Sequence, residues 1–187
     1  MRWPRQASRS SGHEASLADR PVRGRQNGHM SSWAEFEASA PDFAAFVRER
    51  LEAHRHRTMA TIRADGSPRI SGIEVTISHG ELWIAGLSDS RKFADLRRDP
   101  RVAVHSGSDD PPNFRGDARV SGRAIAILDE EAKATFMSEA GGGPPGPFEL
   151  FRLDMNEAST VREADSKDHL VIEVWKPDQP IRRTERY

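Results

Sequence analysis

The hydrophobic and polar positions of the chain change period after about residue 57. Between Ser31 and Arg57, Phe43, Phe46, Val47 and Leu51 recur at helical spacing, while Arg48, Glu49, Arg50 and Glu52 fill the other face. This stretch reads as one core-packing helix, with Pro41 suited to a first turn and Ser39 or Asp42 placed to cap. Thereafter the period falls to two. Thr58–Arg63 reads as a strand, and Asp65-Gly66-Ser67-Pro68 as a turn. In Arg69–Ile77, Ile73, Val75 and Ile77 alternate with Glu74 and Thr76. Ser78-His79-Gly80 is a second tight turn, and Glu81–Ala85 a third strand with Leu82 and Ile84 on one face. Strands joined this tightly must be antiparallel, because a parallel pair needs a long crossover.

The remainder continues in kind. Arg91–Arg98 reads as a two-turn helix anchored by Phe93 and Leu96, and Asp99-Pro100 ends it. Arg101–Ser106, Ala118–Ile127, Phe148–Asp154, Thr160–Arg162 and His169–Trp175 read as strands, and Asp129–Glu139 as a helix. Gly107–Asp117 is a loop, and Ala140–Pro147 a Gly/Pro linker. The expected fold is mainly β: six or seven strands in an antiparallel sandwich or barrel with flanking helices, one of them N-terminal.

Composition alters the picture at the N-terminus. Residues 1–29 hold Arg2, Arg5, Arg9, Arg20, Arg23 and Arg25 against Glu14 and Asp19, with few large apolar side chains and no period. Such a segment buries too little to offset its ordering entropy, so it reads as a disordered basic tail, or as sequence upstream of a start at Met30. The folded domain is then residues 30–187. The whole chain has a net charge of −1, so this domain is acidic and does not read as a nucleic-acid-binding module. There are no cysteines, which excludes disulfides and thiolate chemistry. No apolar run approaches the ~20 residues of a membrane span. The expectation is a soluble cytoplasmic protein without nucleic-acid or membrane partners.

Candidate chemistry concentrates at Ser90-Arg91-Lys92, where a helix begins. A first helical turn exposes unpaired N–H groups and the positive dipole end, which suits phosphate. Arg91 and Lys92 oppose that dipole by a few tenths of a kcal/mol each, about what surface charges tolerate, unless an anion binds there. The histidines show no metal-ligand spacing, and Gly141-Gly142-Gly143 lacks the Lys-Ser/Thr ending of a phosphate loop. Trp83 and Trp175 lie in strands, as packing residues do.

Three blocks in combination go further: Gly66-x-Pro68-Arg69-Ile70, Leu82-Trp83-Ile84, and Ser90-Arg91-Lys92 running to Leu96 and Pro100-Arg101-Val102. Over about Phe43–Ile127 the chain resembles the pyridoxamine 5′-phosphate oxidase-like superfamily of flavin and deazaflavin oxidoreductases, built on the split β-barrel. The resemblance implies a homodimer with a cofactor site at each subunit interface. It implies that Ser90, Arg91 and Lys92 contact the cofactor phosphate, with Arg69 a second cation near phosphate or ring. The backbone of Arg69, Ile70, Ser71 and Ile73 would run along the ring edge, and Ile84 and Ala85 would flank the ribityl chain. The implied cofactor is FMN or the deazaflavin coenzyme F-420, whose longer acidic tail would call for a further basic patch. Arg97, Arg98 and Arg101 are either that patch or plain helix-surface charges, and the expectation leans to the deazaflavin. The C-terminal Ile181–Tyr187 has no counterpart to the segment that closes over substrate in vitamin B6 oxidases. The implied activity is therefore cofactor-dependent redox chemistry on another small organic substrate. A non-catalytic flavin, deazaflavin or haem carrier is the alternative. The loops Asp109–Asp117 and Gly141–Pro147 would shape the ring face. No general acid is identified; His105, at a strand end, is the first histidine to test, although a solvent-facing role is the ordinary one.

Overall fold

The computed structural model describes residues 30–139 and 146–187. The basic N-terminal segment and most of the Gly/Pro linker lie outside the described residues. The described chain is mostly β, with nine strands in one antiparallel sheet and four helices.

Two helices open it where the sequence pattern reads one: α1 (Trp33–Ser39) and α2 (Pro41–Glu52). The break falls at Ala40, which adopts φ −152° and ψ 66°. Pro41 disfavours a helical conformation in the residue before it, yet fits the first position of α2. Neither Ser39 nor Asp42 caps α2. Ser39 instead accepts a hydrogen bond from Trp175 Nε1 at 3.0 Å. Ser32 caps α1 in a reciprocal box with Glu35. Trp33, Phe36, Phe43, Val47 and Leu51 are buried in the common core, where the Phe36 and Trp175 rings lie 4.5 Å apart.

The sheet order explains the barrel. Strands β1 (Arg57–Ile62), β2 (Pro68–Ile73), β3 (Val75–Ser78) and β4 (Glu81–Leu87) follow in sequence, then β5 (Arg101–His105), β6 (Asp117–Ile127) and β7 (Phe148–Glu163). Their spatial order is β2-β1-β5-β6-β7-β4-β3. β2 and β3 stand at opposite ends of this path, yet only Glu74 separates them. One residue can join the two ends only if the sheet curls round. The single strand expected over Arg69–Ile77 is thus two strands that close a split barrel. The alternation of Ile73, Val75 and Ile77 runs unbroken across the join, so it conceals the break.

Two other strands differ from the sequence pattern. Phe148–Asp154 and Thr160–Arg162 belong to one 16-residue strand, β7, held over its length by β6. The ladder slips between Ser121 and Gly122, where a Cβ on Gly122 would stand 1.9 Å from the Asp154 carbonyl oxygen. A bulge of this kind needs a residue without a side chain. β8 (Leu170–Trp175) continues from β7 and carries β9 (Arg182–Arg186) at its outer edge. β9 has no apolar residue, so the alternation rule cannot register it.

α3 (Arg91–Arg98) lies against β1 with Phe93 and Leu96 buried. α4 (Glu130–Glu139) sets Phe136 on Trp83, with ring centroids 5.9 Å apart. Among the described residues no helix is long and apolar enough to cross a membrane.

Candidate functional site

Ser90, Arg91 and Lys92, the residues of the expected phosphate grip, stand at the start of α3. Ser90 is the N-cap, with extended backbone (φ −73°, ψ 138°), and its side chain makes no capping hydrogen bond. Its Oγ is buried and has no hydrogen-bond partner among the described residues. A buried hydroxyl without a partner costs about 1–3 kcal/mol. The N–H groups of Arg91 and Lys92 follow, ahead of any carbonyl that the helix could offer them. Arg91 is exposed, and among the described residues it has no ion-pair partner. Lys92 is half-buried, and its Nζ donates to the Gly72 carbonyl at 2.7 Å. Burial pushes its pKa below the ordinary lysine value.

The Lys92 contact brings β2 to the helix. Among the described residues β2 pairs only with β1, so its other edge keeps backbone groups outside the ladder. Ile70 on this strand is 67% exposed, Ser71 is half-buried, and Ile73 is in the core. On the other side β4 leads into the helix. Ile84 is fully buried in the core and Ala85 half-buried. Gly86 lies flat against Phe93, whose ring would meet an added Cβ at 2.9 Å. The end of β4, the edge of β2 and the first turn of α3 therefore converge on one place. The Ile84 side chain belongs to the core.

Arg69 takes another position than a free cation. Its Nε donates to Asp95 Oδ2 at 2.6 Å, and Thr61 Oγ1 donates to the same oxygen at 2.9 Å. Arg98 approaches Asp95 Oδ1 at 3.5 Å. Asp95 is buried, and the hydrogen bond from Arg69 holds its carboxyl below the usual aspartate range against the opposing effect of burial. Asp95 and Thr61 escaped the sequence reading. A signal did exist: Asp95 is the lone acid of a basic helix and sits between buried Phe93 and Leu96. Two later arginines are also engaged. Arg97 pairs with Glu149, and Arg101 with Asp99 at 2.5 Å. Asp99 is held at a pKa of about 2, first by hydrogen bonding from Arg101. Arg97, Arg98 and Arg101 thus form no unpaired basic patch.

His105 Nδ1 accepts from the Gly107 N–H at 3.0 Å, and Nε2 lies 3.7 Å from Asp117. These contacts orient the ring as a strand-end turn residue. In the following loop, Asp109 meets Arg115 at 3.1 Å, His54 at 3.3 Å and Arg50 at 3.5 Å. These contacts pin the loop to the end of α2. Among the described residues no group of three or more metal-binding side chains is present.

A curled antiparallel sheet whose ends do not pair with each other, with a basic helix start beside one of those edges, has the architecture of a split-barrel protein. The profile of the pyridoxamine 5′-phosphate oxidase family matches residues 43–162, and the chain belongs to that family. No curated protein matches it. Solved structures give the same fold. One is a pyridoxamine 5′-phosphate oxidase-related, FMN-binding protein from Nostoc punctiforme PCC 73102, at 14% identity and a TM-score of 0.54 over 78% of this chain and 96% of that one. PhzG from Burkholderia lata 383, solved with tetrahydrophenazine-1-carboxylic acid, gives 15% and 0.52 over 81% and 92%. ChuZ from Campylobacter jejuni gives 14% and 0.56 over 73% of this chain and 60% of that one. At these identities the likeness is one of fold.

Proposed function

We propose that the chain binds FMN, with its phosphate at the start of α3, and serves as a flavin-dependent oxidoreductase on a small organic substrate. The observation that carries this is the buried, unpartnered Ser90 hydroxyl at a helix start that also carries Arg91 and Lys92. Membership of the family and the FMN-binding relative of the same fold support it. Ser90 Oγ, the first N–H groups of α3, Arg91 and Lys92 would hold the phosphate. The open edge of β2 from Ile70 to Ile73 offers N–H and C=O groups to a ring edge. The flavin, when bound, supplies the electron-transfer chemistry, and the protein supplies orientation and electrostatics. FMN is favoured over the deazaflavin because Arg97, Arg98 and Arg101 each have a carboxylate partner, which leaves the long acidic tail of coenzyme F-420 without a basic track. A homodimer with the cofactor between subunits goes with this reading.

The absorption spectrum of the purified protein tests it. A flavin band retained through gel filtration, with FMN released on denaturation, is the expected result. Binding of added coenzyme F-420 but not FMN would overturn the cofactor, and a Soret band would identify a haem carrier. Turnover of the bound reduced flavin by added electrophiles separates an enzyme from a flavin carrier.

A further inference from the structure

Asp95 is the only acid in α3, and its side chain is 5% exposed. It draws in two guanidinium groups, Arg69 from β2 and Arg98 from its own helix, together with the Thr61 hydroxyl from β1. Thr61 and Arg69 are cross-strand partners, so both face the helix from the same side of the sheet. Lys92 and Asp95 lie three residues apart on α3 and meet Gly72 and Arg69, three residues apart on β2. Helix and strand are thus joined at two points, and only one of the two consumes a positive charge. Arg97 and Arg101 are taken up by Glu149 and Asp99, while Asp89, just ahead of the helix, also acts on Arg97. The cations left at the helix start are Arg91 and Lys92. A phosphomonoester carries about −1.5 to −2 near neutral pH, which two cations balance.

We propose that Asp95 sets the anion specificity of the cradle: by taking Arg69 into a buried ion pair it withholds that cation from the ligand and leaves the site charged for one phosphate group. This rests on the reading that the cradle holds the FMN phosphate. Asp95 lies four residues beyond Arg91, about 6 Å along the helix axis. At such a range one unit of uncompensated charge changes the affinity for a dianion by roughly tenfold.

The affinity ratio of FMN to riboflavin, measured by flavin fluorescence for each variant, isolates the phosphate from the ring. Asp95→Asn frees Arg69 and should raise the FMN preference roughly tenfold. Arg69→Gln removes one positive charge, leaves Asp95 with the more distant Arg98 alone, and should lower it. The double variant, neutral at both positions, should return to the wild-type ratio. An unchanged or lower preference in Asp95→Asn overturns the proposal. So does a lost preference in the double variant, since Arg69 would then be a phosphate ligand itself. If Arg69→Gln fails to fold, Asp95→Asn and the double variant decide the matter alone. Wild-type protein that binds no FMN overturns the parent reading as well, whereas a strong wild-type preference untouched by Asp95→Asn overturns this inference only.

Discussion

Replacing Ser90 by alanine should act on the empty and the loaded protein in different ways. A serine N-cap that bonds its helix contributes about 0.5–2 kcal/mol, and its loss would lower the melting temperature. Ser90 makes no such bond, and its buried Oγ has no partner. Ser90→Ala therefore removes a polar atom that is only a desolvation cost, and the apoprotein should gain up to about 1 kcal/mol. In a chain of this size that is a rise of about 2–4 °C. The FMN complex should lose one charge-assisted hydrogen bond, about 1.5–3 kcal/mol, or roughly 10- to 150-fold in Kd. Riboflavin, which lacks the phosphate, should bind as before. Thermal melts of the apoprotein and fluorescence titration with both flavins measure all three quantities. A lower apoprotein melting temperature combined with an unchanged FMN Kd would show that Ser90 is an ordinary cap, and the phosphate assignment would fall.

Four further outcomes are expected. Lys92→Ala should weaken FMN more than riboflavin in the same titration. In the wild type, FMN affinity should decline as pH rises through the burial-lowered Lys92 pKa, earlier than an ordinary lysine near 10.5 would dictate. Gly86→Ala sets a methyl 2.9 Å from the buried Phe93 ring and should cost about 1–3 kcal/mol, seen as a lower melting temperature and weaker FMN binding as the first turn of α3 shifts. Asp95 has a folded pKa below its unfolded value of 3.8, so its contribution to stability is complete above that pH and is lost as pH falls through the lower folded value. Melts below about pH 4 should therefore show a steep acid limb, and Asp95→Asn, which has no carboxyl to protonate, should flatten it.

The sequence by itself determined a good deal here. Period-two alternation between tight turns forces antiparallel pairing, and hence a mainly β fold. The spacing of Phe93 and Leu96 builds α3, and Asp99-Pro100 ends it, so Ser90-Arg91-Lys92 had to stand at a helix start. These are local effects, set by side-chain direction and backbone sterics within a few residues. The bend at Ala40 was equally local, written in Pro41.

Other features were decided only by contacts between distant residues. Nothing near Glu74 marks the passage from one end of the sheet to the other, because alternation is the same whichever neighbour a strand takes. β7 runs on through Asn156, Glu157 and Ser159 because β6 pairs with it on both sides of the bulge. β9 exists because β8 leaves an open edge, not because of any pattern within it. The arginines make the same point for the site. In sequence Arg69, Arg97, Arg98 and Arg101 are four similar charges near a phosphate motif. In the fold each meets a carboxylate, and Arg69 finds Asp95 from 26 residues away. The number of charges is written in the sequence, but which of them remain unpaired at the start of α3 is fixed only when the strands and helix pack.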